Sequence, residues 1–344
     1  MGFSRYFQPT RRQVLLAGSA GLGLSLLPRG AWAQEAGKTA ITQAFGWISN
    51  VEYAGFWTAL EQGYFAEEGI EADFLAGGPN APDVLVSLAA DSAQISNANW
   101  LPVLDAIEKG NDFVVLGAMW QKSPAALISL AAKPVREAKD LVGARILAQN
   151  PTDKLIIDAI LGNAGLPLDY EIMPTGFSPE PLLSGDGDVY FAFATNQPIT
   201  LENLGLVQGT DFFVTLMDDL GYQVKQALMV TKKSFLAENR PAMVGYIRAL
   251  IRGWDYAFAN PQYAPQIVVD KYGADLGLDL AQQQRQMELQ IPLIKPEGEG
   301  KLFWFDPAVI EGAMTDAAVA AGRKVPPLAE LVDMSVLEEA HATL

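Results

Sequence analysis

The sequence predicts an α/β protein of two lobes, and three observations carry that expectation. Short β-type runs alternate with amphipathic helical runs from Thr39 onward. The alternation restarts near Ala125 and gives way to helices beyond Ser234. Half of the chain is apolar, with no internal repeat and no low-complexity linker, so there is material for two cores.

The elements follow in order. Thr39–Phe45 reads as a strand. Tyr53–Phe65 reads as a helix, because Phe56, Leu60 and Tyr64 fall on one face at fourfold spacing. Gly69 stops the next turn, and Ile70–Leu75 alternates as a strand. The turn Gly77-Gly78-Pro79-Asn80 leads into a helix at Asp83–Ala90, a strand at Ala93–Ser96 and a helix at Leu101–Lys109 closed by Gly110. Phe113–Met119 is a buried strand. This β-α-β-α-β order implies a mainly parallel sheet with helices on its faces.

The second unit reads as strands at Leu127–Ala131 and Ala144–Ala148, with a helical turn over 139–143 between them. A helix over Thr152–Asn163 ends at Asn163-Ala-Gly165. Tyr170–Met173 and Val189–Ala194 are strands, Glu180–Leu183 and Pro198–Leu206 helices, and Gln226–Thr231 a final strand. Beyond it come a short helix capped by Ser234, then Pro241–Asn260, Pro261–Tyr272, Asp279–Gln290 and Pro307–Ala321. The expected division is lobe 1 over 39–130 and 228–344, and lobe 2 over 131–227. Two crossings then make a hinged cleft that closes around a ligand.

Residues 1–33 read as a secretory signal. Thr10-Arg11-Arg12 precedes an apolar run from Val14 to Leu27, and Ala31-Trp32-Ala33 supplies small residues at both specificity positions of a cleavage site. The apolar run is too short and glycine-rich to span a bilayer, which takes about 20 residues. The paired arginines point to the twin-arginine route. The mature protein, cleaved near Ala33, is expected to be soluble and periplasmic.

Charge and composition exclude several functions. Cleavage removes four arginines and no acid, leaving 20 basic against 40 acidic residues, a net −20. Such a chain is repelled by nucleic acid and by anionic lipid. With no cysteine, disulfides, thiolate metal sites and a cysteine nucleophile are excluded. The single histidine, His341, stands three residues from the C-terminus, which removes a Ser-His-Asp triad and a His-x-x-x-His zinc site. Asp186, Asp188, Asp218 and Asp219 lack a calcium-loop spacing, and Gly77-Gly78 lacks the Lys-Ser/Thr of a phosphate loop. The expectation is a binder, with no enzyme activity, metal or cofactor.

Tyr53-Ala-Gly-Phe-Trp57 and the following Gly63-Tyr64-Phe65-Ala-Glu-Glu-Gly69-Ile70 resemble the opening helix of the alkanesulfonate/thiamine-pyrimidine (SsuA/NMT1-like) group of periplasmic binding proteins. The resemblance continues through Gly77–Asn80, Asp91–Ser96, Gly185-x-Gly187-Asp188-Val189, Thr195-Asn196-Gln197-Pro198 and Leu228–Thr231. It implies the type II periplasmic binding fold, an ABC importer with its permease and ATPase as partners, and a monomeric binder. Eukaryotic relatives that make the thiamine pyrimidine carry a cysteine-rich iron motif and a catalytic histidine, and this chain has neither.

In that family the cleft is lined by strand-to-helix loops at the carboxyl ends of the sheets, the usual ligand position in open α/β folds. The resemblance places there Trp47, Asn50, Tyr53, Gly78, Asn80, Asn97, Asn99, Trp120, Phe193 and Asn196. Aromatic faces stack on rings and amides offer both donors and acceptors. The set contains no Lys or Arg, so the expected ligand is a small heteroaromatic, a thiamine-type pyrimidine or a riboflavin-like ring. The alternatives are a sulfonate, taurine or nitrate-type anion, held by helix N-termini and amides, or a periplasmic sensor that does not transport. Pyrimidine-binding relatives often place a carboxylate near the position of Gln197, where this chain has an amide.

Overall fold

A computed structural model describes residues 38–344 except 79, 151–152, 296–297 and 299. The expected signal segment, 1–33, lies outside the described residues. The strands are β1 (Thr39–Ala44), β2 (Ile70–Leu75), β3 (Ile95–Ala98), β4 (Phe113–Ala118), β5 (Ala125–Leu130), β6 (Arg145–Ala148), β7 (Glu171–Pro174), β8 (Val189–Phe193), β9 (Phe212–Leu216) and β10 (Leu228–Lys232). They form two five-stranded sheets, β2-β1-β3-β10-β4 and β7-β6-β8-β5-β9.

The first sheet departs from the mainly parallel expectation at β10. β1, β2 and β3 are parallel, but β10 lies between β3 and β4 and is antiparallel to both. The reason is topological: β10 is the chain's return from lobe 2, so it enters the sheet from the opposite end. β5 pairs with β8 and β9 in the second sheet. The expected boundary at residue 130 therefore moves back, and the outward crossing runs between Ala118 and Ala125. β9 was not expected at all. Its five residues are mostly half-buried and it is the edge strand beside β5.

The helices are α1 (Ala54–Glu61), α2 (Tyr64–Glu67), α3 (Val84–Ala89), α4 (Trp100–Glu108), α5 (Asp153–Asn163), α6 (Glu180–Leu183), α7 (Gln197–Asn203), α8 (Lys233–Ala259), α9 (Tyr263–Ile267), α10 (Leu280–Ile294), α11 (Thr315–Ala320), α12 (Leu328–Leu331) and α13 (Ser335–Ala342). The helix expected over Tyr53–Phe65 breaks in two because Gly63 adopts φ 75°, which glycine tolerates and a helix does not. Two expected helices fuse into α8, which kinks at Asn239 (φ −127°), two residues before Pro241. The proline ring lacks an N–H and crowds the preceding turn.

Lobe 1 is knitted by α1 lying on α8. Gly55 and Gly253 allow that approach: a Cβ on Gly55 would overlap the Trp254 indole, and one on Gly253 would overlap the Gly55 carbonyl. Around this crossing Phe45, Phe56, Trp57, Phe65, Tyr246 and Trp254 are fully buried. The lobes also touch away from the hinge, with α5 of lobe 2 against α11 of lobe 1 and α7 against α10.

Candidate functional site

The loop after β1 is built to be rigid. Phe45 N–H donates to the Leu75 carbonyl at 2.9 Å, and Gly77 N–H to the Trp47 carbonyl at 2.8 Å. Gly77 is required there, since a Cβ would overlap the Phe45 carbonyl. Trp47 N–H donates to the Tyr53 hydroxyl at 2.9 Å, and the Tyr53 ring stacks on Phe45 with centroids 3.9 Å apart. Asn50 caps the 3₁₀ turn Val51–Tyr53: its Oδ1 accepts from Glu52 N–H at 3.0 Å and its carbonyl from the Trp57 indole N–H at 2.8 Å. From α10, Gln283 Oε1 accepts from Val51 N–H at 2.9 Å and Gln290 Nε2 donates to the Val51 carbonyl at 2.8 Å.

Held by this frame, the half-buried Trp47 ring reaches lobe 2 and meets Phe177, with centroids 5.2 Å apart and planes inclined at 59°. Phe177 is 45 % exposed, so the contact sits at the mouth of the crevice. The turn below it carries a carboxyl that sequence reasoning did not single out. Burial pushes Glu52 up to about 7, opposed by a hydrogen bond from Tyr53. The Tyr53 phenol is in turn pushed well above its ordinary value, by burial first and by the neighbouring Glu52 charge second.

The remaining candidates separate into groups. Asn97 is buried in lobe 1, where its Oδ1 accepts from Gln43 Nε2 and Gln43 Oε1 accepts from the Tyr246 hydroxyl. Beside them a void of about 10 Å³, lined by Gln43, Tyr53, Asn97 and Trp254 among others, has room for about one water. Trp120 is 1 % exposed and belongs to the core. Gly78 is half-buried at φ 130°, while Asn80 and Asn99 are exposed. On lobe 2, Phe193 and Asn196 are half-buried at the junction of β8 and α7. Gln197 there spends its amide oxygen on Phe193 N–H at 2.8 Å. The structure thus brings together Trp47, Asn50 and Tyr53, and it commits Asn50 and Asn97 to bonds within lobe 1.

The crossings hold polar groups of their own. Met119 N–H donates to the Ala227 carbonyl at 3.1 Å, tying the two crossings side by side. Ala227 sits at φ 50°, a conformation that costs a residue with a Cβ. Lys225 Nζ donates to the Gln121 carbonyl, and burial lowers its pKa against the opposing pull of Asp218. Gln121 Nε2 and Gln226 Oε1 are buried without a protein partner. A larger cavity of about 420 Å³ opens between α7 and α10, lined by Glu202, Leu206, Val207, Gln208, Arg285 and Leu289. It lies away from all ten sequence candidates. Arg285 crosses it to Glu202, with both N–O distances 3.1 Å.

The family model "NMT1/THI5 like" matches residues 50–264. This chain belongs to the NMT1/THI5-like family. The riboflavin-binding protein RibY of Chloroflexus aurantiacus is 25% identical, over 75% of this chain and 73% of its own length. The formylaminopyrimidine-binding protein of Halalkalibacterium halodurans is 23% identical, over 73% and 76%. A 4-amino-5-hydroxymethyl-2-methylpyrimidine phosphate synthase of Legionella pneumophila is 23% identical, over 67% and 73%. Among solved structures, the periplasmic sulfonate-binding protein SsuA of Methylobacillus flagellatus superposes with a TM-score of 0.64 at 12% identity, covering 89% of this chain and 95% of that one. The NMT1/THI5-like chain therefore has the two-lobed α/β fold of periplasmic binding proteins. Its one histidine, His341 on α13, has Nε2 3.0 Å from the Leu302 carbonyl. No helix among the described residues is long and apolar enough to cross a membrane.

Proposed function

We propose that this protein is the extracytoplasmic solute-binding component of an ABC importer, and that it holds a small flat heteroaromatic solute at the crevice between its lobes. The observation that carries this reading is Trp47, held by backbone bonds on lobe 1 and facing Phe177 of lobe 2. A ring sandwiched between two aromatic faces needs their centroids about 7 Å apart, two contacts of about 3.5 Å. At 5.2 Å and 59° the two rings are closer and more tilted than such a sandwich, so a flat ligand enters when the lobes part by about 2 Å and the rings turn toward parallel. The names of the curated relatives, riboflavin and pyrimidine binders among them, support a ring ligand. Capture is followed by delivery to a permease and ATPase, from a monomer released into the periplasm.

The test is calorimetric titration of the mature protein with riboflavin, with 4-amino-5-hydroxymethyl-2-methylpyrimidine and with taurine. Binding of one ring compound, weakened at least tenfold by Trp47→Ala, is the expected result. Preference for taurine would sink the ring reading.

A second reading, an anionic solute, is favoured by Lys225, whose half-buried ammonium stands at the hinge. Under that reading Lys225→Met abolishes taurine or nitrate binding, whereas under the first it leaves ring binding within about threefold. Delivery and sensing are separated by transport assays that pair the protein with an ABC permease and ATPase from its own genome.

A further inference from the structure

Among the described residues, three that are not glycine adopt a left-handed backbone: Asp91 at φ 57°, Ala227 at 50° and Phe303 at 66°. Asp91 lies in an exposed turn, where aspartate tolerates that conformation. The other two meet at one place. Phe303 and Ala227 present their carbonyls to consecutive amides at the root of the outgoing crossing, to Ala118 N–H at 2.9 Å and to Met119 N–H at 3.1 Å. Strain of this kind persists only where surrounding contacts fix it. At Ala227 those contacts form a directed chain. The Tyr246 hydroxyl on α8 donates to Gln43 Oε1, Gln43 Nε2 donates to Asn97 Oδ1, and Asn97 Nδ2 donates to the Ala227 carbonyl at 3.4 Å. Tyr246, Gln43 and Asn97 are all buried, so each amide has its orientation set by the donor before it. Ala227 is the last residue of the returning crossing, since β10 begins at Leu228 and is bonded into the first sheet from there. Its backbone is where the chain from lobe 2 turns into lobe 1.

We infer that Ala227 is a loaded hinge: its left-handed backbone drives the lobes apart, and the buried chain ending at Asn97 holds it in place while they touch. The lobes touch in this arrangement, Trp47 against Phe177 and α5 against α11. The strained φ therefore belongs to the state with the lobes together, and it relaxes when the returning chain swings on Ala227. Asn97 is a positioning residue, acting on the hinge from inside lobe 1 and not on the solute. This goes beyond the ligand reading and holds whichever solute binds. A left-handed alanine costs a factor of about five to thirty in an equilibrium. The long Asn97 bond returns about threefold of that.

The chain has no cysteine, so Val86→Cys on α3 and Leu168→Cys ahead of β7, both exposed, each take one spin label. Double electron–electron resonance then gives the ratio of lobes together to lobes apart in the unliganded mature protein. Hydrogen exchange follows the Met119 amide, normalised to the amides of β1, which report global stability. Ala227→Gly removes the Cβ clash but also frees the parted chain, so the ratio should rise and Met119 exchange should slow by about threefold. Asn97→Ala should move both readouts the other way by about threefold. It enlarges a void that already has room for one water beside Gln43, and that water can take the abandoned bond, so the variant should fold. The two substitutions joined should return both readouts to within about twofold of wild type. The hinge assignment falls if Ala227→Gly leaves both readouts at their wild-type values or shifts them toward parting. It falls equally if Met119 in Asn97→Ala exchanges faster only in step with β1. No ligand enters the measurement, so failure here leaves the solute reading standing.

Discussion

At the scale of single residues, burial makes Glu52 a stability switch. Burial raises its folded pKa to about 7 from an ordinary 4.5, so between those two values the folded chain keeps a proton that the unfolded chain has lost. Stability therefore falls as pH rises through that window, by up to about 3 kcal/mol at 1.36 kcal/mol per pKa unit. Glu52→Gln should flatten this slope and raise the melting temperature at pH 8 more than at pH 5, as read by calorimetric melting. An equal shift at both values would show that the carboxyl is not desolvated in solution. The neighbouring Gly77 gives a prediction of opposite sign. Gly77→Ala drives a methyl into the Phe45 carbonyl beneath the Trp47 loop, where only backbone movement can relieve it. A loss of at least about 2 kcal/mol in denaturant unfolding is expected. Trp47 and Tyr53 were singled out through the family resemblance, which puts them in a strand-to-helix loop. Glu52 was not, because an acid in the first turn of a helix is ordinary favourable chemistry with the helix dipole. Only the packing of α10 and Tyr53 around the turn makes this one desolvated.

At the scale of elements, the sequence pattern located most strands and helices, and what it missed has a common cause. Periodicity reports which face of a segment is buried, not which strand it pairs with or in which direction. β10 was therefore visible as a strand at Gln226–Thr231, but its antiparallel place between β3 and β4 was not. β5 was visible as a strand too, yet its allegiance to the second sheet depends on β8 and β9, far along the chain. Glycines gave a stronger signal than the pattern reading used. Gly55 and Gly253 fall inside segments read as uninterrupted helices, while in the structure they are where α1 and α8 touch. Gly55→Ala inserts a methyl against the fully buried Trp254 and should cost about 1–3 kcal/mol by overpacking. Its unfolding should retain a two-state transition, and a silent substitution there would mean that the helices lie farther apart. In lobe 2, Asp188 accepts from Arg145 N–H at 2.9 Å and pairs with Arg145 and Lys133 at 3.1 Å. Arg145 first, then Lys133, holds this carboxyl well below the ordinary carboxylate range. Its stabilisation is complete above the unfolded value of 3.8 and is lost as pH falls below it.

At the scale of the molecule, the question is what sets the balance between lobes that are apart and lobes that are together. Trp47 against Phe177 and α5 against α11 favour the closed arrangement without any ligand. Arg285 adds a bidentate ion pair to Glu202 across the cavity between α10 and α7. The arginine side chain is 41% exposed, so solvent screens the pair and its contribution is at most about 1 kcal/mol. That is enough to matter, because 1 kcal/mol is about a fivefold change in an open–closed equilibrium. The consequence depends on which state admits solute. A ligand that must part Trp47 from Phe177 to enter benefits from opening, and one that is then enclosed benefits from closure. If closure over the ligand dominates, Glu202→Gln lowers apparent affinity by up to about fivefold, and the same loss appears in wild type as salt screens the pair. If entry dominates, association quickens and affinity is unchanged or improved. Stopped-flow tryptophan fluorescence with the ring ligand separates the two through the association and dissociation rates. The closed contacts already formed by α5–α11 and Trp47–Phe177 argue for the first outcome: dissociation should quicken in Glu202→Gln while association stays within about twofold. Small-angle scattering of the unliganded variant should show a larger radius of gyration than wild type, and identical curves together with identical rates would show that Arg285 and Glu202 do not latch the lobes.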